Sequence, residues 1–340
     1  MRSETLSNGI FYNGDCISGA QAHIPDNSVD LIITDPPYGI EGDKLHRHYN
    51  RNEEYVVEGY VEIPESEYGD FSIRWVREAE RVLRPGGSMY IVSGYTNLYH
   101  ILHALKKTEL KEINHIIWRY SFGVFTRRKY VSSHYHILFY EKPGRERTFN
   151  LESRFGLDEK AADGRSKNNA DREDVWIINR EYKPGMVKNK NELPMQLLTK
   201  IIQYSSREGD LVCDFFLGGF STAKAAIGLN RRASGFEIST PIFDTKIPEI
   251  EALTPGYLIP SLRDPIQSTL ENSRKSWTAG EIQKLDEEYR QLSARGLTNK
   301  QIFAELGEKL GRGHWAIVKA LKKNGQTAEK NGATTLSDYS

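Results

Sequence analysis

Val29-Asp30-Leu31-Ile32-Ile33 is an apolar, β-branched run that breaks at Thr34-Asp35-Pro36-Pro37-Tyr38-Gly39. Such a run reads as a buried parallel strand. The break then falls where that strand ends, which is the ligand position of an open α/β sheet. Two prolines fix the backbone there, so the Asp35 carboxylate and the Pro36 carbonyl can converge on one exocyclic NH2 group. Tyr38 can stack on the ring that carries the amine. Asp35, Pro36, Pro37 and Tyr38 are therefore the candidate catalytic residues.

The rest of the chain continues the alternation of strand and helix signals. Phe11 to Gly14 reads as a short strand. Phe71 to Leu83 has helical apolar spacing and stops at the breaker Arg84-Pro85-Gly86-Gly87. Ser88 to Val92 is the next strand, Leu98 to Leu105 a helix, and Ile113 to Trp118 and Tyr135 to Tyr140 two further strands. Residues 146–175 are polar and charged, and they read as a mobile or target-recognition insertion outside the core. Leu193 to Tyr204 is helical and Leu211 to Phe215 a strand. The class implied is α/β, with a doubly wound, mostly parallel sheet.

A second loop carries its own chemistry. The strand Leu211 to Phe215 runs into Phe216-Leu217-Gly218-Gly219-Phe220-Ser221-Thr222, then a helix from Ala223 to Leu229 and a strand from Ala233 to Ile238. Strand, glycine turn, helix and strand with a late acid, here Glu237, is nucleotide-binding βαβ logic. Glycines let the backbone approach a ligand, while the acid accepts hydrogen bonds from ribose hydroxyls.

Together these residues resemble the β-class of DNA amino-methyltransferases, S-adenosylmethionine-dependent enzymes that methylate adenine N6 or cytosine N4. The resemblance spans roughly residues 8 to 245, with the catalytic DPPY first and the cofactor loop near the end. It implies a Rossmann-like methyltransferase domain over residues 1–246, S-adenosyl-L-methionine as cofactor and double-stranded DNA as partner. Asn13-Gly14-Asp15-Cys16 resembles the family's early GDC element beside the cofactor's adenine. Val82 to Gly87 matches its LRPGG turn, and Asp174-Val175-Trp176 its DVW. Leu193 to Leu198 stands in the place of its KPxxLL helix, which packs over the cofactor. The cofactor residues so implied are Asp15, Cys16, Asp35, Pro194, Asp214, Phe216, Gly218, Gly219, Ser221, Thr222 and Glu237. Trp118 to Tyr140 is similar to the segment that closes around a flipped base, which implies DNA contacts from Arg127, Arg128, Lys129 and His134. His46, His48 and Arg51 follow DPPY in a polar stretch suited to ordering on DNA.

Three departures stand out. The family's cofactor loop usually reads DPFxGSGTT, and Phe215, Gly219, Phe220 and Ser221 replace Pro, Ser, Gly and Thr. Phe220 in place of glycine narrows the room for backbone to approach a cofactor. Leu193 replaces the lysine of the KP pair, and Tyr135 stands where glutamate often follows the histidine.

The chemistry of the DPPY residues suits amine methylation. An aromatic amine is a poor nucleophile, and hydrogen bonds to Asp35 and the Pro36 carbonyl favour a more pyramidal nitrogen. The target atom is inaccessible inside a duplex, so the base must be flipped out. Methylation at cytosine C5 would need a cysteine nucleophile, and neither Cys16 nor Cys213 follows a proline in a loop. Within the family an acid at the first DPPY position is more typical of adenine, which favours N6. Cytosine N4, an RNA amine, and a non-catalytic DNA-binding protein that keeps the fold remain as alternatives.

Pro241, Pro248, Pro255, Pro260 and Pro265 punctuate the stretch from the end of the last strand to about residue 270, which reads as a linker or surface-wrapping segment, with the linker set at residues 247–271. Beyond it Thr278-x-x-Glu281 and Thr298-x-x-Gln301 are capping boxes that open two helices. A third follows Gly311-Arg312-Gly313. Three short helices over residues 272–324 resemble a Myb/SANT-like module, and Arg312, Lys319, Lys322 and Lys323 are its candidate DNA contacts. A small dimerisation module is the alternative. Residues 325–340 are polar and read as a disordered tail.

Lys+Arg and Asp+Glu both number 46, so any nucleic-acid binding must use local patches. Two cysteines and no signal or membrane-spanning stretch point to a reducing cytoplasm, with association to the nucleoid through DNA. No histidine has partners at metal-ligand spacing, so no metal is expected. A second copy of the chain and a cognate restriction endonuclease are the protein partners left open, and no membrane partner is expected.

Overall fold

The computed structural model describes residues 1–37, 63–120, 127–179, 192–262, 271–272 and 275–325. Tyr38, His46, His48 and Arg51 lie outside the described residues, as do residues 326–340 of the expected tail. Two compact units are present: Met1–Arg154 with Asn169–Asp264, and Phe155–Asn168 with Pro265–Ser340.

Among the described residues the first unit is built on one nine-stranded sheet. Its strands are β1 (Arg2–Leu6), β2 (Gly9–Asn13), β3 (Val29–Thr34), β4 (Leu83–Ser93), β5 (Lys111–Arg119), β6 (His134–Glu141), β7 (Val175–Ile177), β8 (Leu211–Asp214) and β9 (Arg232–Glu237). They lie in the order β1-β2-β9-β8-β3-β4-β6-β5-β7. The five strands from β2 to β4 are mutually parallel, β6 is antiparallel to both of its neighbours, and β1 adds an antiparallel edge.

Helices cover both faces, as the continuous apolar strands require. On one face α1 (Cys16–His23), α2 (Glu65–Val82) and α3 (Leu98–Leu105) bury Ile17, Trp75, Val76 and Ile101 against Ile32, Met89 and Ile91. On the other, α5 (Met195–Ser205), α6 (Ser221–Gly228) and α7 (Thr240–Glu251) pack Leu197, Ile201, Ala226 and Phe243 on Leu31, Ile33, Tyr90 and Val92. Odd and even residues of β3 thus enter different cores. Asp30, the one acid in that run, is satisfied at the strand's start: it pairs with Arg84 and accepts the Leu211 N–H at 2.8 Å.

Two expectations change and one is met. Residues 247–251, placed in the linker, belong to helix α7: Pro241 sits in its first turn, where no N–H is missed, and Pro248 lies inside it. Phe243, Ile247 and Ile250 are buried by that helix, and Leu258 and Leu262 still pack on the same core. The first unit therefore extends past the expected boundary at 246. The break expected at Arg84 to Gly87 is present: the helix ends at Val82, Gly86 takes φ +76°, and the β3–β4 ladder, after Val29 opposite Leu83, resumes only at Ser88. The stretch 146–175, finally, is not wholly outside the core. Asn150 caps the end of α5 through its Nδ2, which donates to Gln203 and Ser206 carbonyls at 2.9 and 2.8 Å. Arg154 and the Tyr204 hydroxyl both reach Asp171, and Trp176 of β7 is buried. Short α4 (Lys167–Asp171) completes that stretch.

In the second unit α8 (Ala279–Ala294), α9 (Asn299–Leu310) and α10 (His314–Lys323) share a core of Leu285, Leu292, Ile302, Leu306, Ile317 and Leu321. Both expected capping boxes form reciprocally. Among the described residues no helix is long and apolar enough to cross a membrane.

Candidate active site and cofactor cleft

Four neighbouring parallel strands, β2, β9, β8 and β3, end on one edge of the sheet, and each end carries a candidate site residue. After β3 the chain crosses to β4 on one side, while after β8 it crosses to β9 on the other. The gap between β3 and β8 is therefore the topological switch point, where open α/β sheets bind ligands.

A buried hydrogen bond ties the two strands at that point. Thr34 Oγ1 donates to Asp214 Oδ1 at 2.9 Å, and the Phe216 N–H donates to the same oxygen at 3.0 Å. Burial pushes the Asp214 carboxyl up to about 6 despite these donors. The residue before DPPY and the residue that opens the glycine loop are thereby fixed side by side. Asp35 is half-buried and Pro36 buried directly beyond. The Tyr68 hydroxyl of α2 donates to the Pro37 carbonyl at 2.7 Å.

The glycine loop is shaped by a different set of contacts. Gly218 has φ +49° and its N–H donates to Glu237 Oε2 at 2.8 Å. Glu237 Oε1 accepts the Ser239 N–H at 2.7 Å. Burial pushes the Glu237 carboxyl up to about 7, against those two donors and helped by the nearby Asp214 charge. Gly219 is closed over by Glu192, since a Cβ there would stand 2.0 Å from Glu192 Oε1. Phe216 turns toward α2, 5.5 Å from the Trp75 ring. Ser221 and Thr222 open α6, and Thr222 is buried.

Phe220 is held at φ +61°, the left-handed region that glycine adopts without strain. Its ring points away from the loop surface. It is 0 % exposed and lies 5.6 Å from Phe11 and 6.1 Å from Phe243. The substitution therefore fills the core beneath the loop and does not narrow the space above it, contrary to the expectation from sequence.

The GDC element meets Glu237 directly. Asn13 Nδ2 and the Gly14 N–H both donate to the Glu237 carbonyl at 2.9 Å. Asp15 caps α1 by accepting the Ser18 N–H at 2.9 Å, and Cys16 is buried behind it. Burial raises both the Cys16 and Cys213 thiols, Cys16 well above its ordinary range. Neither is a thiolate nucleophile at neutral pH. Pro194 precedes α5 and its carbonyl accepts the Leu197 and Leu198 N–H groups.

The β6 strand runs antiparallel to β4, so its first residues lie at the same edge. His134 is exposed there, its ring 5.2 Å from that of His136. Arg127, Arg128 and Lys129 are exposed just upstream. In the second unit, Lys319, Lys322 and Lys323 are exposed on α10 together with Trp315, 73 % exposed. Arg312 does not join them. It is 3 % exposed, bonds to both Glu281 carboxylate oxygens and the Ser276 carbonyl, and lies 4.3 Å over the Trp277 ring. With the Thr278 N–H it holds the Glu281 carboxyl down at about 2. Arg312 is a structural residue of the module and is withdrawn as a DNA contact.

Tyr68, Glu192 and Trp315 were not among the residues read from sequence. Tyr68 looks like one more apolar-face residue of a helix, and only the packing of α2 shows where its hydroxyl goes.

The family model for DNA methylase matches residues 29–247, which hold every strand end just described except that of β2. The chain belongs to the DNA methylase family. The chain is 32% identical over 245 residues to the type II methyltransferase M.BamHI of Bacillus amyloliquefaciens, a match covering 68% of this chain and 54% of that protein. It is 32% identical over 230 residues to the type II methyltransferase M.HpaI of Haemophilus parainfluenzae, covering 65% of this chain and 67% of that one. The chain thus spans about half the length of the first relative and two thirds of the second. A DNA modification methylase of Thermus thermophilus, solved in complex with S-adenosyl-L-methionine, has a TM-score of 0.50 at 23% identity, covering 71% of this chain and 92% of that one. At that identity the likeness shows the fold. The methylase match stops at 247, so residues 272–324 lie outside it.

Proposed function

We propose that this methylase transfers a methyl group from S-adenosyl-L-methionine to the exocyclic amine of a base flipped from duplex DNA, with adenine N6 as the acceptor. The observation that carries the reading is the Thr34–Asp214 hydrogen bond, which sets DPPY beside the glycine loop at the switch point. The aspartate at the first DPPY position favours adenine over cytosine N4.

The cleft's chemistry suits the cofactor. Each Glu237 oxygen accepts one backbone N–H and keeps lone-pair capacity for a ribose hydroxyl. Gly218 presents bare backbone beside it, while Gly219 is covered by Glu192. Asp15 and Cys16, on the neighbouring strand end, would border the adenine. S-adenosylmethionine supplies a methyl already activated on a sulfonium, so the chain's task is alignment more than base chemistry. Asp35 accepts one N–H of the target amine and the Pro36 carbonyl the other. That pairing orients the nitrogen lone pair and leaves Asp35 placed to receive the released proton. Tyr38, outside the described residues, is assigned from its sequence position the role of stacking on the base.

Arg127, Arg128, Lys129 and His134 grip the strand around the flipped nucleotide, and Lys319, Lys322 and Lys323 add phosphate contacts from the helical module. The test is methyl transfer from labelled cofactor to duplex DNA, RNA and protein, followed by nucleoside analysis. N6-methyladenine in DNA is the expected product. N4-methylcytosine would move the assignment to the other amine, and label only in RNA or protein would overturn it.

A further inference from the structure

We propose that Tyr68 is a positioning residue for the catalytic segment: its hydroxyl clamps the Pro37 carbonyl and thereby sets where the Asp35 carboxylate and Pro36 carbonyl stand. The inference rests on the reading of those two groups as the acceptors of the target amine.

The argument starts from the degrees of freedom in the segment. Upstream, Thr34 is fixed by its ladder register opposite Ile91 and by its side-chain bond to Asp214. Beyond it the proline rings lock φ at Pro36 and Pro37. Asp35 and Pro36, each ahead of a proline, are confined to extended conformations, and what the rings leave is movement within that range and ψ of Pro37. A hinge so short moves as a unit, and a bond at the Pro37 carbonyl holds its far end.

Tyr68 is built to hold still. It is 1 % exposed, with the Phe71 ring 6.2 Å away and the His100 ring 5.8 Å away at 66°. His100 comes from α3, so two helices fix the phenol before any ligand enters. A proline carbonyl near the end of a strand has no ladder partner of its own, and a buried hydroxyl supplies one. Misplacement of a reacting group by about 1 Å can reduce a rate roughly 100-fold.

The test compares Tyr68→Phe with the intact chain. The substitution keeps the ring and its packing and removes one oxygen. Tyr140→Phe is the control, because Tyr140 of β6 likewise loses a part-buried hydroxyl bond, to Glu112 of β5. Pro37-Tyr38 is the one Pro-Tyr pair in the sequence. Carbonyl-13C proline with 15N tyrosine therefore reports that single peptide. Tyr68→Phe should shift the Pro37 carbonyl resonance and lower kcat by about 10- to 100-fold, with the cofactor Kd and DNA Kd within about twofold. Tyr140→Phe should change neither signal. An unshifted resonance in Tyr68→Phe, or a kcat within twofold of an active parent, overturns the clamp. A parent chain that methylates no DNA amine sinks the proposed function instead, and the resonance then decides whether the clamp exists.

Discussion

Glu237 offers the sharpest test of the cofactor cleft, because its environment sets the sign of a pH effect. Burial raises its carboxyl from 4.5 to about 7. Acceptance of two ribose hydroxyls requires the carboxylate, so below about pH 7 binding must release a proton. Cofactor affinity should then fall about tenfold per pH unit below 7 and level off above it, so that Kd at pH 6 is about tenfold that at pH 8. Glu237→Gln removes the charge. It should weaken binding at pH 8 by about 1.5–3 kcal/mol, or about 10- to 150-fold, and flatten the pH profile. Stability runs the other way. Between 4.5 and 7 the folded chain holds a proton that the unfolded chain has released, so stability falls as pH rises through that window. The full effect is roughly 3 kcal/mol. Glu237→Gln without cofactor should therefore raise the thermal midpoint at pH 8, by less than this amount because its amide meets one backbone N–H unfavourably. Calorimetric titration with S-adenosylmethionine from pH 5.5 to 8 reads the first effect and thermal unfolding the second. A Kd independent of pH in the parent chain, or unchanged in Glu237→Gln, would refute the ribose assignment.

Asp35→Ala should reduce methyl transfer by about three orders of magnitude or more while cofactor Kd changes little, and near-normal single-turnover rates would remove DPPY from the chemistry. Phe220→Gly relieves a left-handed backbone of about 1 kcal/mol but empties the site between Phe11 and Phe243, so urea unfolding should show a net loss of about 2–4 kcal/mol. A stabilised variant would mean that the ring lies outside the core. Deleting residues 272–340 should leave cofactor binding intact and flatten the slope of log DNA affinity against log salt by about one to three units. An unchanged slope with an altered oligomeric state would make the module a dimerisation element.

Much of the site could be read from sequence because its parts are local. An apolar run before DPPY, a strand before a glycine turn and an acid closing the next strand each declare their place within a few residues. Periodicity does the rest: alternating residues of β3 enter the two cores, and the two capping boxes mark helix starts that formed at Thr278 and Thr298. Composition, by contrast, misled at residues 241–251. Prolines there read as a linker or surface-wrapping segment, but Pro241 occupies a first helical turn, Pro248 is carried inside the helix, and Phe243, Ile247 and Ile250 supply an apolar face that only the neighbouring core could reward.

Tertiary structure alone decided the pairings between distant residues. Thr34 and Asp214 are 180 positions apart, and nothing near either says that β3 and β8 are neighbours. The same holds for Tyr68 and the Pro37 carbonyl, for the direction of the Phe220 ring, and for Arg312, whose charge is spent on Glu281 inside the module. Local sequence determines the element and the chemical type of each side chain. Which groups meet depends on strand order and helix packing, and those are set by burial of the whole apolar surface at once.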